Sequence, residues 1–348
     1  MEPKKRLGLS VPASYALNLG LTASALFVGN LVYSSDLLGR AQRSVIMLVG
    51  IYMILAVSLN VATGYLGQLP LGHAGFMAVG GYAGALFWKN SPPQLGEAAT
   101  LAIGLLFAGC VAAAFGVAIG IPALRLRGDY LAIITLGFGE IIRVAIINLT
   151  WLTGGTPGLR NIPRHSTFLV VYICVAICCA VIHAVMKSRH GRAILSIREN
   201  EIAAEACGVS TTYYKVMAFT LSAFFAGVAG ALFAGNQGIL IPSNFDFMAS
   251  INILVMVVLG GMGSMLGSMV AAAALTSLPL ALQRFSEFRM VVYSLLLIIV
   301  MVFKPSGLLG THDFSMRRIV GNVGTRALLR GAKRGGTKRH GTKGGGGL

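Results

Sequence analysis

SINILVMVVLGGMGSMLGSMVAAAALTSLPLALQ, Ser250 to Gln283, runs for 34 residues without a charged side chain. One helical crossing of a bilayer takes about 20 apolar residues. The run is too long for a single ordinary crossing, and GGMGSMLG, Gly260 to Gly267, interrupts it. It predicts two membrane-embedded segments joined at a glycine break.

The rest of the chain is of the same kind. A mean hydropathy of +0.77, 55% hydrophobic residues and 11% charged residues exclude a soluble globular domain, in which roughly a quarter of residues are charged. The 45 glycines suit close helix crossings in lipid. Further spans are expected near 15–33, 44–63, 71–88, 98–121, 130–150, 167–186 and 216–235, with a short one at 290–303 before Lys304 and Pro305. The expected fold is an all-α polytopic membrane protein of about ten embedded helices, some of them broken. Tyr15 to Tyr33 is longer than a signal peptide's apolar core of about 7–15 residues and is expected to be retained.

An even number of spans puts both termini on one side. Lys4, Lys5, Arg6, Arg125, Arg127, the loop 187–215, Lys304 and the tail share that face, which the positive-inside rule makes cytoplasmic. Asp36, Glu97, Asp246 and Glu287 fall opposite, but so do Arg40, Arg43, Arg160, Arg164, Arg284 and Arg289, so the bias is incomplete. The expected organisation is a basic cytoplasmic N-terminus 1–14, a transmembrane domain 15–310 and a tail 311–348. Nine Lys/Arg against Asp313 alone, in a glycine-rich context, predict a disordered tail, read first as a solvated extension with no function of its own and otherwise as one that touches anionic lipid or nucleic acid by charge alone. No specific nucleic-acid partner follows. The five cysteines show no CxxC and no paired spacing across outer loops, so neither a disulfide framework nor a metal site is implied.

GYLGQLPLGHAGF, Gly64 to Phe76, is a second glycine-rich interruption, at the junction of the second and third segments. Interruptions in corresponding places of two halves are the pattern of inverted repeats whose broken helices border a translocation path. Gly67, Gln68, Pro70, Gly72 and His73 in the first and Gly260, Gly261 and Gly263 in the second are the candidates. Tight helix crossing explains each set of glycines equally well when taken alone.

KSRHGRAILSIRENEIAAEACGVSTTYYK, Lys187 to Lys215, carries five basic and three acidic residues between two apolar stretches. Ser196 and Glu199 have the spacing of a capping box, and Gly208 is placed to stop a helix, so a short surface helix is expected over Ile197 to Cys207. Such a helix suits docking, although any polytopic protein needs hydrophilic loops.

Glu140 and Arg143 stand three residues apart inside an apolar stretch, on one helix face. They read either as a structural ion pair or as a substrate or proton site. His73 reads as a hydrogen-bonded packing histidine or as a proton relay. There is no G-x-x-x-x-G-K-S/T, H-E-x-x-H or G-x-S-x-G motif, and the carboxylates are scattered. The chain is not expected to be an enzyme, and any ATP-driven work needs a separate motor.

Several blocks, in order, resemble permease subunits of the branched-chain amino acid ABC importers, the LivM-like group. They are GYLGQLPLGHAGFMAVGGYAGAL (64–86), LRLRGDYLAIITLGFGEIIRV (124–144), LTGGTPGL (152–159), GRAILSIRENEIAAEACGV (191–209), FAGVAGALFA (225–234), ILVMVVLGGMGSMLG (253–267) and FKPSGLLG (303–310). The match covers about residues 40 to 310. In AAEACG, 203–208, Ile202 stands where the permease docking motif has Glu, and Pro70 stands where relatives often carry Ser.

The resemblance implies a heteromeric importer in a prokaryotic cytoplasmic membrane. This chain would pair with a LivH-like permease, two cytosolic ATPases would dock below, and a periplasmic or surface-anchored binding protein would deliver substrate. ATP and magnesium would belong to the ATPases, with no cofactor on this chain. Residues 191–209 would then be the coupling element, with Gly191, Arg192, Arg198, Glu199, Glu201, Ala203, Ala204, Glu205 and Gly208 as its candidate contacts. Two alternatives remain: a proton-coupled secondary transporter using Glu140, Arg143 and His73, and the same importer family carrying urea or amides.

Overall fold

The uncharged run is two helices. In the computed structural model it forms Phe247–Gly260 and Met265–Ala281, and the chain turns through residues 261–264. The structure describes residues 39–91, 96–126 and 128–282, with Asn30, Tyr33, Ser294, Leu295 and Ile298 as isolated positions, all within the unit Gly29–His312. The expected spans 15–33 and 290–303, the N-terminus 1–14 and the tail 311–348 lie wholly or almost wholly outside the described residues.

In chain order α1 is Arg40–Asn60, continued by a π-helical turn, Val61–Tyr65; α2 is His73–Asn90; α3 is Glu97–Ala123; and α4 is Asp129–Asn148. The single turn α5, Thr150–Thr153, follows, then α6, Phe168–Lys187; α7, Arg189–Glu199; α8, Glu201–Ala206; α9, Thr211–Gln237; α10, Phe247–Gly260; and α11, Met265–Ala281. Among the described residues no strand forms; Leu159 and Leu240 make one isolated antiparallel bridge. Among the described residues five helices are long and apolar enough to cross a membrane: α1 with its π turn, α3, α4, α6 and α9. Acidic side chains sit in the first turns of α3 (Glu97) and α4 (Asp129), and Lys187 in the last turn of α6, each favourable to the helix dipole.

Burial separates inner from outer helices. Over its most apolar window α9 is 72% buried and α1 67%, against 22% for α4 and 28% for α6. The inner pair packs together, α9 also meets α2 and α3, and α1 also meets α6 and α11. Small residues allow these approaches, as expected where lipid gives no hydrophobic drive. A Cβ on Gly80 of α2 would land on the Gly227 backbone of α9, and one on Gly230 would land on the Met77 carbonyl. Gly116 of α3 faces Ala223 of α9 in the same way.

The cytoplasmic-loop helix expected over Ile197 to Cys207 is replaced by two helices. Ser196 is not a cap: it lies inside α7, where its hydroxyl donates to the Ala193 carbonyl at 2.8 Å. The caps are Ser188, which accepts from the Gly191 amide, and Asn200, which accepts from the Ala203 amide at 3.0 Å. The reason is packing. Gly191, Ile194 and Ile197 are all buried at a three-residue spacing, so the helix must begin early enough to put them on one face. The stop is where the sequence puts it, with Gly208 left-handed at φ +84°.

Candidate translocation and coupling site

The first break begins where α1 runs out of carbonyl partners. The amides of Leu66 and Gln68 bond the Val61 and Ala62 carbonyls at 3.1 and 3.0 Å, closing the π turn. Gly67 then takes φ +76°, which a side chain would strain, and the backbone stays irregular to Gly72. Other helices satisfy this stretch. The Thr135 hydroxyl of α4 accepts from the Leu71 amide at 3.0 Å, and Ser250 of α10 accepts from the Ala74 amide at 3.1 Å. The Ser58 hydroxyl lies 2.9 Å from the Leu55 carbonyl and pairs with His73 Nε2 at 3.0 Å.

The second break is four residues long. Ser264 caps α11 by accepting from the Gly267 amide at 3.1 Å, and Gly260 and Gly267 cross so closely that a Cβ on either would meet the other's backbone. Gly261 and Gly263 both have positive φ, +108° and +89°.

Asn60 joins the two breaks. Its side chain is fully buried; Nδ2 donates to the Ser264 carbonyl at 3.1 Å and Oδ1 accepts from the Gly263 amide at 2.9 Å. A Cβ on Gly64 would collide with the Asn60 amide and the Gly263 nitrogen, so the two interruptions touch through glycine. Arg198 of α7 reaches the same point: its Nη1 donates to the Gly64 carbonyl at 2.6 Å. Gly67 leaves room for the Arg198 stem, since a Cβ there would lie 3.1 Å from Cγ.

The candidate path residues of both breaks, from Gly67 to His73 and from Gly260 to Gly263, therefore border one structure, with Pro70, Gly72 and His73 buried. Glu140 and Arg143 form an ion pair at 2.7 Å on α4, with side chains 37% and 30% exposed. Gly139, just before it, abuts Gly72, so the pair neighbours the first break. His73 bonds Ser58 and Glu140 bonds Arg143; among the described residues no hydrogen bond links the two sets.

The candidate coupling residues divide. Arg192, Arg198, Glu199, Ala203, Glu205 and Gly208 are exposed, as is Ile202 at 70%, although the Arg198 guanidinium also reaches the Gly64 carbonyl. Gly191 and Ala204 are buried, and a Cβ on Gly191 would meet the Met186 backbone, so these two hold the helices to the body. Glu201 turns onto Lys215 of α9 at 2.7 Å, a pair in which the lysine side chain is only 4% exposed. Sequence reasoning missed Asn60, Ser58, Thr135, Ser250 and Lys215. Asn60 and Gly64 carry a signal in their i, i+4 spacing: an amide in an apolar run beside a glycine.

A profile described as branched-chain amino acid transport system / permease component matches residues 43–301. The chain belongs to this family. The permease is 38% identical over 307 residues to the high-affinity branched-chain amino acid transport system permease protein LivM of Salmonella typhimurium, covering 78% of this chain and 71% of that protein. The same identity and coverage hold for LivM of Escherichia coli. LivH of Salmonella typhimurium is 29% identical over 189 residues, covering 52% of this chain and 59% of its own. No solved structure matches the permease.

Proposed function

We propose that the chain is a membrane permease subunit of an ATP-driven importer for branched-chain or related amino acids, working with a LivH-like permease, two ATPases and a substrate-binding protein. The observation that carries this reading is the two-sided character of α7 and α8 in a member of this family. Outward they present Arg192, Glu199, Ile202 and Glu205; inward they are fixed by Arg198 and by the Glu201–Lys215 pair. A motor that pushes on such an element moves the rest of the subunit. On this reading the breaks are equivalent interruptions in an inverted repeat of about ten embedded segments, with both termini cytoplasmic.

The outer face of α4 is where the second permease sits. Tyr130, Ile133, Ile141 and Val144 are exposed there beside the half-exposed Glu140–Arg143 pair. An ionisable pair in a span faces protein or a water-filled cavity rather than lipid, which favours a partner subunit over acyl chains on this side. Substrate would pass between the two permeases, with selectivity supplied mainly by the binding protein.

Purification from native membranes tests the reading. The expected result is recovery of two ATPases and a second permease, with uptake in proteoliposomes that requires ATP and the binding protein. Uptake by this chain alone, driven by a pH gradient without ATP, would overturn it. The binding protein's ligand then decides between amino acids, urea and amides.

A further inference from the structure

Three elements that the sequence keeps far apart, the π turn near residue 64, the second break near residue 263 and the cytoplasmic helix α7, converge on the side chain of Arg198. We propose that Arg198 is a latch that holds the coupling helices against both broken segments, and that the motor opens the path on the cytoplasmic side by drawing this latch. The inference rests on the ATP-driven reading above and adds the residue through which force reaches the path.

The chemistry of the contact favours a releasable tie. Gly64 stands at the end of α1 and its π turn, where carbonyls lack helical partners and the helix dipole is negative. The Leu66 and Gln68 amides go to Val61 and Ala62, which leaves the Gly64 carbonyl free to accept the guanidinium. The bond is charge-assisted, at 2.6 Å, and partly accessible to water, so it is directional without being entombed. Glycine flanks it on both sides. A Cβ on Gly263 would lie 3.1 Å from Arg198 Nη1, and one on Gly67 would lie 3.1 Å from Cγ. Both residues also hold positive φ, +89° and +76°, so the backbone is bent to form the seat.

From this seat the tie extends to the second break through one side chain. Asn60 lies one turn before Gly64 and bonds the Gly263 amide and the Ser264 carbonyl. Displacing Arg198 therefore acts on two breaks at once. The Glu201–Lys215 pair behaves differently: it ties α8 to the base of α9, so the helix pair pivots on that pair while the Arg198 end lifts.

The test uses the assembled importer in proteoliposomes with its binding protein and ATPases, comparing wild type with Arg198→Ala, Arg198→Gln and Arg198→Lys. Substrate moved per ATP hydrolysed should fall about tenfold in Ala and Gln, the scale of one lost charge-assisted bond, while Lys recovers part of it. ATPase recruitment should stay at the wild-type level in all three. Spin labels at Arg189→Cys, at the start of α7, and Met262→Cys, both exposed positions, in a background without the native cysteines, supply a second readout. Their distance distribution should be narrow at rest with Arg198 and broad with Arg198→Ala. An unchanged transport ratio, an equally narrow distribution, or loss of uptake in proportion to lost ATPase recruitment would each overturn the latch. If the wild-type assembly itself shows no ATP-dependent uptake, the importer reading fails instead.

Discussion

The two helix breaks meet at Asn60 but are held in different ways. The second is compact: four residues, a serine cap of its own, a glycine crossing between the helices it joins, and a single outside side chain, Asn60 of α1, on its backbone. The first is longer and depends on others, with Thr135 of α4, Ser250 of α10 and Arg198 of α7 each bonding its backbone. A break with its own cap and one outside tie keeps its shape when most neighbours move. A break satisfied by three distant elements takes its shape from them, and so is the one through which outside motion can enter.

The largest blow to this contrast comes where the breaks touch. Gly64→Ala places a methyl on both the Asn60 amide and the Gly263 nitrogen, and should cost about 3 kcal/mol, read as a sharp fall in the Tm of the purified chain. Adding Asn60→Ala should not restore it, because the Gly263 backbone remains in the way. Asn60→Ala by itself should cost about 2 kcal/mol, since it strands two partly buried backbone groups of the second break while leaving the first intact. Faster amide exchange around 261–264, with 66–72 unchanged, would show that the dependence runs in that direction. Ser264→Ala removes one helix cap and should cost only about 1 kcal/mol in the same melt. A larger loss there than at Asn60 would mean that the second break is held by its own cap more than by α1.

Glycine made both breaks legible. Long uncharged stretches cannot be single crossings, and clustered glycines mark where a helix ends, so Gly260 to Gly263 and Gly64 to Gly72 could be placed from residue types alone. The polar residues that secure them were harder to see. Asn60, Thr135 and Ser250 sit 64 to 204 residues from some of their partners, and nothing in a linear pattern encodes a bond between helices so distant in the chain. The helix expected over Ile197 to Cys207 was misplaced for a related reason. Ser196 and Glu199 satisfy a local capping rule, but burial of Gly191, Ile194 and Ile197 against the body decides where α7 starts. Arg198 reads from sequence as one more surface charge, and it is exposed; only the fold brings its guanidinium onto the Gly64 carbonyl.

The glycine contact between α2 and α9 has a mechanical consequence. Where Gly80 meets Gly227 and Met77 meets Gly230, the two main chains press on each other with no side chain between them. Side chains can hop between rotamers and absorb a small displacement; bare backbones cannot. α9 starts beside α7 and α8 and α2 starts at the first break, so a shift of one is passed to the other without backlash, as between two gears cut from a single piece.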